Sequence, residues 1–210
     1  CSRFDTIYNE PEEKQGYYSK DDIAEIVRYA AARNVEIIPE IEMPGHALAV
    51  LAAFPELSCA GETPKIHPFS TGPYIHEEIL CAGKEETYEF LENVLDEVAE
   101  LFPSQYIHIG GDEAPKAEWK KCPDCQRAIK ENGLEDEHEL QSWFIKRIEN
   151  YLNSKGKKLI GWDEITEGGL SKTATMMFWR GWMEDALLTA VNQGNDVIMS
   201  PTTHCYFDYT

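Results

Sequence analysis

The apolar positions of this chain change period repeatedly. Ser19-Lys20-Asp21-Asp22 is a capping-box-like start, and Ile23, Ile26, Val27 and Ala30 follow at helical spacing, which predicts a helix ending near Asn34. Val35 to Ile41 then reads as a short buried strand, stopped by Met43-Pro44-Gly45, and Ala47 to Phe54 as a helix. From Ser58 to Gly83 no period is visible and Pro and Gly are frequent, which predicts a long loop. Tyr88, Leu91, Val94, Leu95, Val98 and Leu101 form an apolar stripe that predicts a helix over Glu85 to Phe102. A strand at Tyr106 to Ile109, running into Gly110-Gly111, is followed by a helix over Glu135 to Asn153 built on Leu140, Phe144, Ile145, Ile148 and Leu152. Strands at Lys158 to Trp162, Thr175 to Trp179 and Val197 to Ser200, with a helix at Asp185 to Asn192, complete the series. Strands alternating with helical or looped crossovers predict a mainly parallel sheet of about five strands.

The 210 residues, 42% apolar, have the composition of one globular domain with a full core. A net charge of −19, with no Lys/Arg-rich run, makes nucleic acid and anionic membranes poor partners and leaves neutral ligands open. No apolar stretch approaches the roughly 20 residues needed to span a bilayer, so membrane insertion is not expected. Cys1 to Glu10 lacks the pattern of a signal peptide, which fits a cytosolic chain or one whose targeting segment has been removed. Among six cysteines, Cys122-Pro-Asp-Cys125 has zinc-knuckle spacing, but no second CxxC or HxxxH follows to complete four ligands. A local loop thiol pair is the expectation there. Cys59 and Cys81 flank the long loop and read either as a disulfide or as free thiols.

Candidate chemistry collects where each strand ends: Glu42 and His46, Asp112 and Glu113, Trp162 and Asp163, Trp179, then Tyr206 and Asp208. In a (β/α) barrel the loops after the strands converge on one face, whereas an open sheet concentrates its ligand at one switch point. The run of strand ends therefore predicts a barrel. Asp112-Glu113 is the sharpest feature, because adjacent carboxylates repel and are costly to bury. His108, Gly110 and Asp112 share one face by the period of two, so Ile107 and Ile109 should pack on helices, and Glu113 can join Asp112 only if the glycines let the backbone leave strand geometry. The alternative is an acidic N-cap pair before a helix at Ala114-Pro115. Trp162 and Trp179 suit the walls of a sugar pocket, or are core plugs. Tyr206 and Asp208 point the same way in an extended chain, and His46 reads as a ligand contact or as a capping or surface histidine.

In order, Pro39-Glu40-Ile41-Glu42-Met43-Pro44-Gly45-His46, Tyr106 to Glu113 with its Gly-Gly-Asp-Glu, Gly161-Trp162-Asp163-Glu164-Ile165, Phe178-Trp179-Arg180-Gly181 and Ser200 to Tyr209 resemble the catalytic barrel of β-N-acetylhexosaminidases of glycoside hydrolase family 20. The resemblance implies a TIM-type (β/α)8 barrel, present over residues 1–210 as an incomplete barrel covering about strands three to seven. It also implies retaining, substrate-assisted removal of terminal β-linked N-acetylglucosamine or N-acetylgalactosamine, outside the two-carboxylate scheme. In that pattern Glu113 is the general acid/base and Asp112 orients the substrate's acetamido group. Tyr206 binds the acetamido oxygen, Trp162 and Trp179 wall its pocket, Asp208 binds sugar hydroxyls and His46 supports Glu113. No cofactor or metal is implied, the partners are N-acetylhexosamine-containing glycans, and the full-length protein is expected to be periplasmic or secreted. A barrel this incomplete is expected to be inactive alone and to offer its exposed inner face for self-association. Two other classes stay open: a non-hydrolytic N-acetylhexosamine-binding fragment, and a metal-dependent hydrolase using Glu42, His46, Asp112 and Glu113.

Overall fold

The computed structural model describes residues 16–64 and 76–207. Within them the chain runs α1 (Lys20–Ala31), α2 (Leu48–Ala53), α3 (Glu85–Leu101), β1 (Tyr106–His108), α4 (Ala117–Lys121), α5 (Pro123–Glu131), α6 (Glu137–Ser154), β2 (Lys158–Trp162), β3 (Thr175–Phe178), α7 (Glu184–Gln193), β4 (Val197–Met199) and α8 (Thr202–Cys205). Short 3₁₀ turns occupy Pro55–Leu57 and Asp163–Thr166.

The sheet is parallel throughout, in the order β1-β2-β3-β4, with Ile107 opposite Leu159, Gly161 opposite Met176 and Met177 opposite Ile198. The strand expected at Val35 to Ile41 is shorter than the sequence pattern suggests. It makes a single parallel bridge, Glu40 to His108, in an extended segment beside β1. His108 N donates to Pro39 O at 2.9 Å, Ile41 N to His108 O at 2.9 Å and Met43 N to Ile109 O at 3.0 Å. Pro39 has no N–H and Pro44 closes the other end, so the ladder cannot lengthen. The described sheet therefore has four strands plus this fifth, bridged segment, in place of five full strands.

The helices follow from their sequences. Ser19 caps α1 reciprocally, its Oγ accepting from Asp22 N at 3.2 Å while the Asp22 carboxylate accepts from Ser19 N at 2.8 Å. Asp136 caps α6 by accepting from His138 N at 2.8 Å and Glu139 N at 3.0 Å. The stripes of α3 (Tyr88, Leu91, Leu95, Val98) and α6 (Leu140, Phe144, Ile145, Ile148, Leu152) are buried against Ile107, Ile109, Leu159 and Met176 in one core. Each such side chain, fully buried, contributes about 1.5–3 kcal/mol. Ile107 and Ile109 face the helices as their alternation predicts, which leaves His108 on the opposite face of the sheet. Helices α4 and α5 were not evident from the sequence: Cys122-Pro-Asp-Cys125 opens α5, with Pro123 in its first turn, where a missing N–H costs nothing. No helix among the described residues is long and apolar enough to cross a membrane.

Candidate active site

Just past β1 the backbone leaves strand geometry. Gly110 and Gly111 adopt φ of +67° and +92°, and Glu113 itself lies at φ +45°. A non-glycine residue in this left-handed region costs about 1–2 kcal/mol and persists only where surrounding contacts fix it. Gln141, buried on α6, holds the turn by donating from Nε2 to Gly111 O at 3.1 Å. The result is that Asp112 and Glu113 project toward the same histidine, which excludes a simple N-cap pair, since α4 begins only at Ala117.

That histidine is His46. Its Nε2 lies 3.3 Å from Asp112 Oδ2 and 3.4 Å from Glu113 Oε2. The turn carrying it, after the cis Met43-Pro44 bond, lies so close that a Cβ on Gly45 would sit 2.9 Å from Asp112 O. Its bond to Asp112, and the charges of Asp112, Glu42 and Glu113, raise the His46 pKa to about 9 against the opposing effect of partial burial. His46 is thus an imidazolium at neutral pH. Glu42 is pushed up to about 8, first by burial and then by the Asp112 charge. Glu42 Oε2 and Asp112 Oδ1 are buried with no hydrogen-bond partner among the described residues.

A second group sits beside this one. Trp162 Nε1 donates to Glu40 Oε1 at 2.9 Å, and its ring meets the His108 ring edge-on at 4.9 Å. His108 Nδ1 lies 3.1 Å from Glu40 Oε1, and this contact, ahead of the others, holds Glu40 below the usual carboxylate range. The described contacts of Trp162 are therefore with Glu40 and His108.

Trp179 lines a depression of about 550 Å³ whose wall also includes Glu113, Lys116, Gln141, Glu164 and Arg180. Its ring stacks against Tyr206 at 6.5 Å and 23°, and meets Trp182, 65% exposed at the rim, edge-on at 5.8 Å and 77°. Trp179 Nε1 donates to Glu164 Oε2 at 2.9 Å, and burial raises Glu164 to about 7. Asp163, fully buried, accepts from Arg180 Nε at 2.7 Å and from the amides of Trp179 and Arg180 at 3.2 and 3.3 Å, which fixes the end of β3 to the turn after β2. The structure thus gathers His46, Asp112 and Glu113 in one cluster and Trp179 and Tyr206 in a second that shares a cavity with Glu113. Asp208 lies outside the described residues. Glu164 and Arg180 stood in the family-like runs but were given no role, although Asp163-Glu164 repeats the paired acids of Asp112-Glu113 at the next strand end.

A parallel α/β sheet with acids and aromatics gathered past its strand ends is consistent with part of a (β/α) barrel. The chain belongs to glycosyl hydrolase family 20, whose catalytic domain matches residues 3–210. It is 51% identical over 190 residues to a beta-hexosaminidase of Porphyromonas gingivalis, covering 89% of this chain and 23% of that protein. An Akkermansia muciniphila beta-hexosaminidase is 33% identical across the whole chain and 42% of its own length. Among solved structures, the beta-N-acetylhexosaminidase of Bacteroides fragilis superposes with a TM-score of 0.83 and 40% identity over 100% of this chain and 41% of that one. A mutant Streptomyces plicatus beta-hexosaminidase in complex with product (GlcNAc) gives a TM-score of 0.75 and 33% identity over 93% and 36%. The chain thus spans about a quarter to two fifths of the relatives it matches.

Proposed function

We propose that in the intact protein this site removes terminal β-linked N-acetylglucosamine or N-acetylgalactosamine with retention, the substrate's acetamido oxygen acting as nucleophile. The observation that carries it is the arrangement around Asp112: one carboxylate oxygen faces the His46 imidazolium while the other, buried Oδ1, has no partner among the described residues. A buried acceptor left open calls for a donor, and an acetamido N–H supplies one. Asp112 would orient that amide and offset the positive charge on its nitrogen as the carbonyl oxygen bonds to C1. Glu113 gives its proton to the leaving oxygen as the C1–O bond breaks. In the second half it takes a proton from water as the water oxygen attacks C1 and the oxazoline-type ring opens. His46 positions Glu113, and Trp179 with Tyr206 would form the acetamido wall, Tyr206 donating to the carbonyl oxygen and so holding it in attack geometry. Trp162 and Asp208 complete the proposed sugar contacts. The Streptomyces plicatus relative with bound GlcNAc supports the substrate class.

The test is kinetic and uses the intact protein. Glu113→Gln should cut turnover of a substrate with a poor leaving group by roughly 10²- to 10⁴-fold and spare one with a good leaving group far more, since acid catalysis matters only for the former. Equal losses on both would argue against the acid role. Replacing the substrate's 2-acetamido group by hydroxyl should abolish turnover. A protein that binds N-acetylglucosamine and turns over neither substrate would instead be a non-hydrolytic binder.

A further inference from the structure

Two pairs of cysteines that lie far apart in the sequence meet at one point. Cys122 is the N-cap of α5 and Cys125 sits in its first turn. Cys59 and Cys81 follow Ser58 and Leu80, which form an antiparallel bridge, with Cys81 N donating to Leu57 O at 2.8 Å. The sulfurs stand 3.8 Å apart for Cys59 and Cys125, 3.7 Å for Cys81 and Cys122, and 3.6 Å for Cys81 and Cys125, and all four lie within 4.8 Å of one another. The sequence offered only one CxxC. The other two ligands come from the ends of the long loop, a pairing that no local spacing announces.

We propose that Cys59, Cys81, Cys122 and Cys125 bind one zinc(II) ion as a closed, structural tetrahedral site. The distances carry this. Four sulfurs each about 2.3 Å from a central zinc lie about 3.8 Å from one another along the edges of a tetrahedron, which is the spacing found, whereas a disulfide needs about 2.0 Å. The surroundings are built for thiolates. Cys122 and Cys125 sit at the N-terminal end of α5, the positive end of its dipole. The backbone at 82–83 passes so tightly over α5 that a Cβ on Gly83 would overlap the Asp124 carbonyl and the Cys125 amide nitrogen. Binding would release the four thiol protons to solvent and leave a complex of net charge −2. With four protein ligands no coordination position is open, so the ion has no part in hydrolysis. Its work is to pin the loop between residues 59 and 81, which also meets the turn carrying His46, where Leu80 N donates to Pro44 O at 3.0 Å.

The experiment measures metal content on the intact protein, purified without an affinity-metal tag, chelator or reductant. One zinc per chain is expected, released by a thiol-specific mercurial as four thiols are consumed, and absent from the Cys122→Ser/Cys125→Ser variant. Should that variant fail to fold, cobalt(II) loaded into the wild-type protein provides the second reading: tetrahedral thiolate coordination gives an intense sulfur-to-cobalt charge-transfer band in the near ultraviolet. Stripping the zinc should lower Tm by on the order of ten degrees. Three outcomes overturn the proposal. A metal-free protein whose denatured, unreduced mass is lighter by the hydrogens of two disulfides is one. A metal-free protein in which Cys59, Cys81, Cys122 and Cys125 are all alkylated, as read by peptide mapping, is another. The third is zinc that survives the cysteine variant and is lost with Asp112→Asn, which would place it at His46, Asp112 and Glu113.

Discussion

Glu42 keeps a carboxyl group where its ionised form is poorly tolerated, partly buried and facing Asp112 and Glu40, with only the His46 cation in its favour. Its pKa, raised from 4.5 to about 8, means that the folded protein holds a proton there which the unfolded chain has already lost. The sign follows directly. The group's contribution to stability is fully present below about pH 4.5 and is lost as pH rises through about 8. Glu42→Gln keeps the neutral form at every pH, so the variant should match the wild-type Tm near pH 4.5 and exceed it increasingly toward pH 9. Thermal melts across that range check this, and a difference that is constant with pH would show that Glu42 ionises freely in the fold. The sequence marked Glu42 as a charged residue at a strand end and, in one alternative, as a metal ligand. Its altered proton affinity depends on Asp112, brought across the sheet by the fold, and no one-dimensional pattern contains that.

At the scale of elements, the turn from Met43 to His46 is docked on the end of β1 rather than standing beside it. Gly45 permits this, because any side chain there would press on the Asp112 carbonyl. Gly45→Ala should therefore move His46 and the acid pair apart, and a displacement of about 1 Å costs on the order of 10²-fold in rate. The expected outcome for the intact enzyme is a kcat lower by that order with KM changed much less; unchanged kcat would mean that the turn is not a positioning device. The helices α3 and α6 were legible because burying one face of a helix writes a period of 3.6 into the chain. The acid pair was legible because glycines before paired carboxylates have few other uses. The segment at 35–41 was overcalled as a strand: its apolar run is real, but Pro39 and Pro44 limit it to one bridge. Helices α4 and α5 were missed because they are short, at Ala117–Lys121 and Pro123–Glu131, and five to nine residues scarcely register a period. Of the four-sulfur cluster only Cys122-Pro-Asp-Cys125 had a local signal; Cys59 and Cys81 join it from 41 to 66 residues away, which no local spacing announces.

On the scale of the whole molecule, the sheet of the described residues ends at β4, where Ile198 and Met199 are exposed, and its order β1-β2-β3-β4 does not close on itself. Four strands and one bridged segment among the described residues, against the eight strands of a full barrel, supply part of the wall around the site. Purified alone, they should fail to hydrolyse an aryl N-acetylglucosaminide at a rate near that of a complete enzyme, although His46, Asp112 and Glu113 are in place. A steady-state assay beside the Glu113→Gln variant decides it, and robust turnover lost in the variant would show that the partial wall suffices. On the proposed function such a chain should still hold a sugar that it does not cleave, and the pair of indoles at the rim would turn that occupancy into light. Trp182 is mostly in water, where solvent relaxation shifts indole emission to the red, while its edge touches the Trp179 ring that lines the cavity. A pyranose laid on Trp179 would displace water from both rings, so added N-acetylglucosamine should shift the emission to shorter wavelength. In Trp182→Phe the shift should be smaller, because Trp179 then reports alone, while Trp119 is already fully shielded. The protein would thus carry a fluorescent gauge of its own pocket that works without turnover and needs no label.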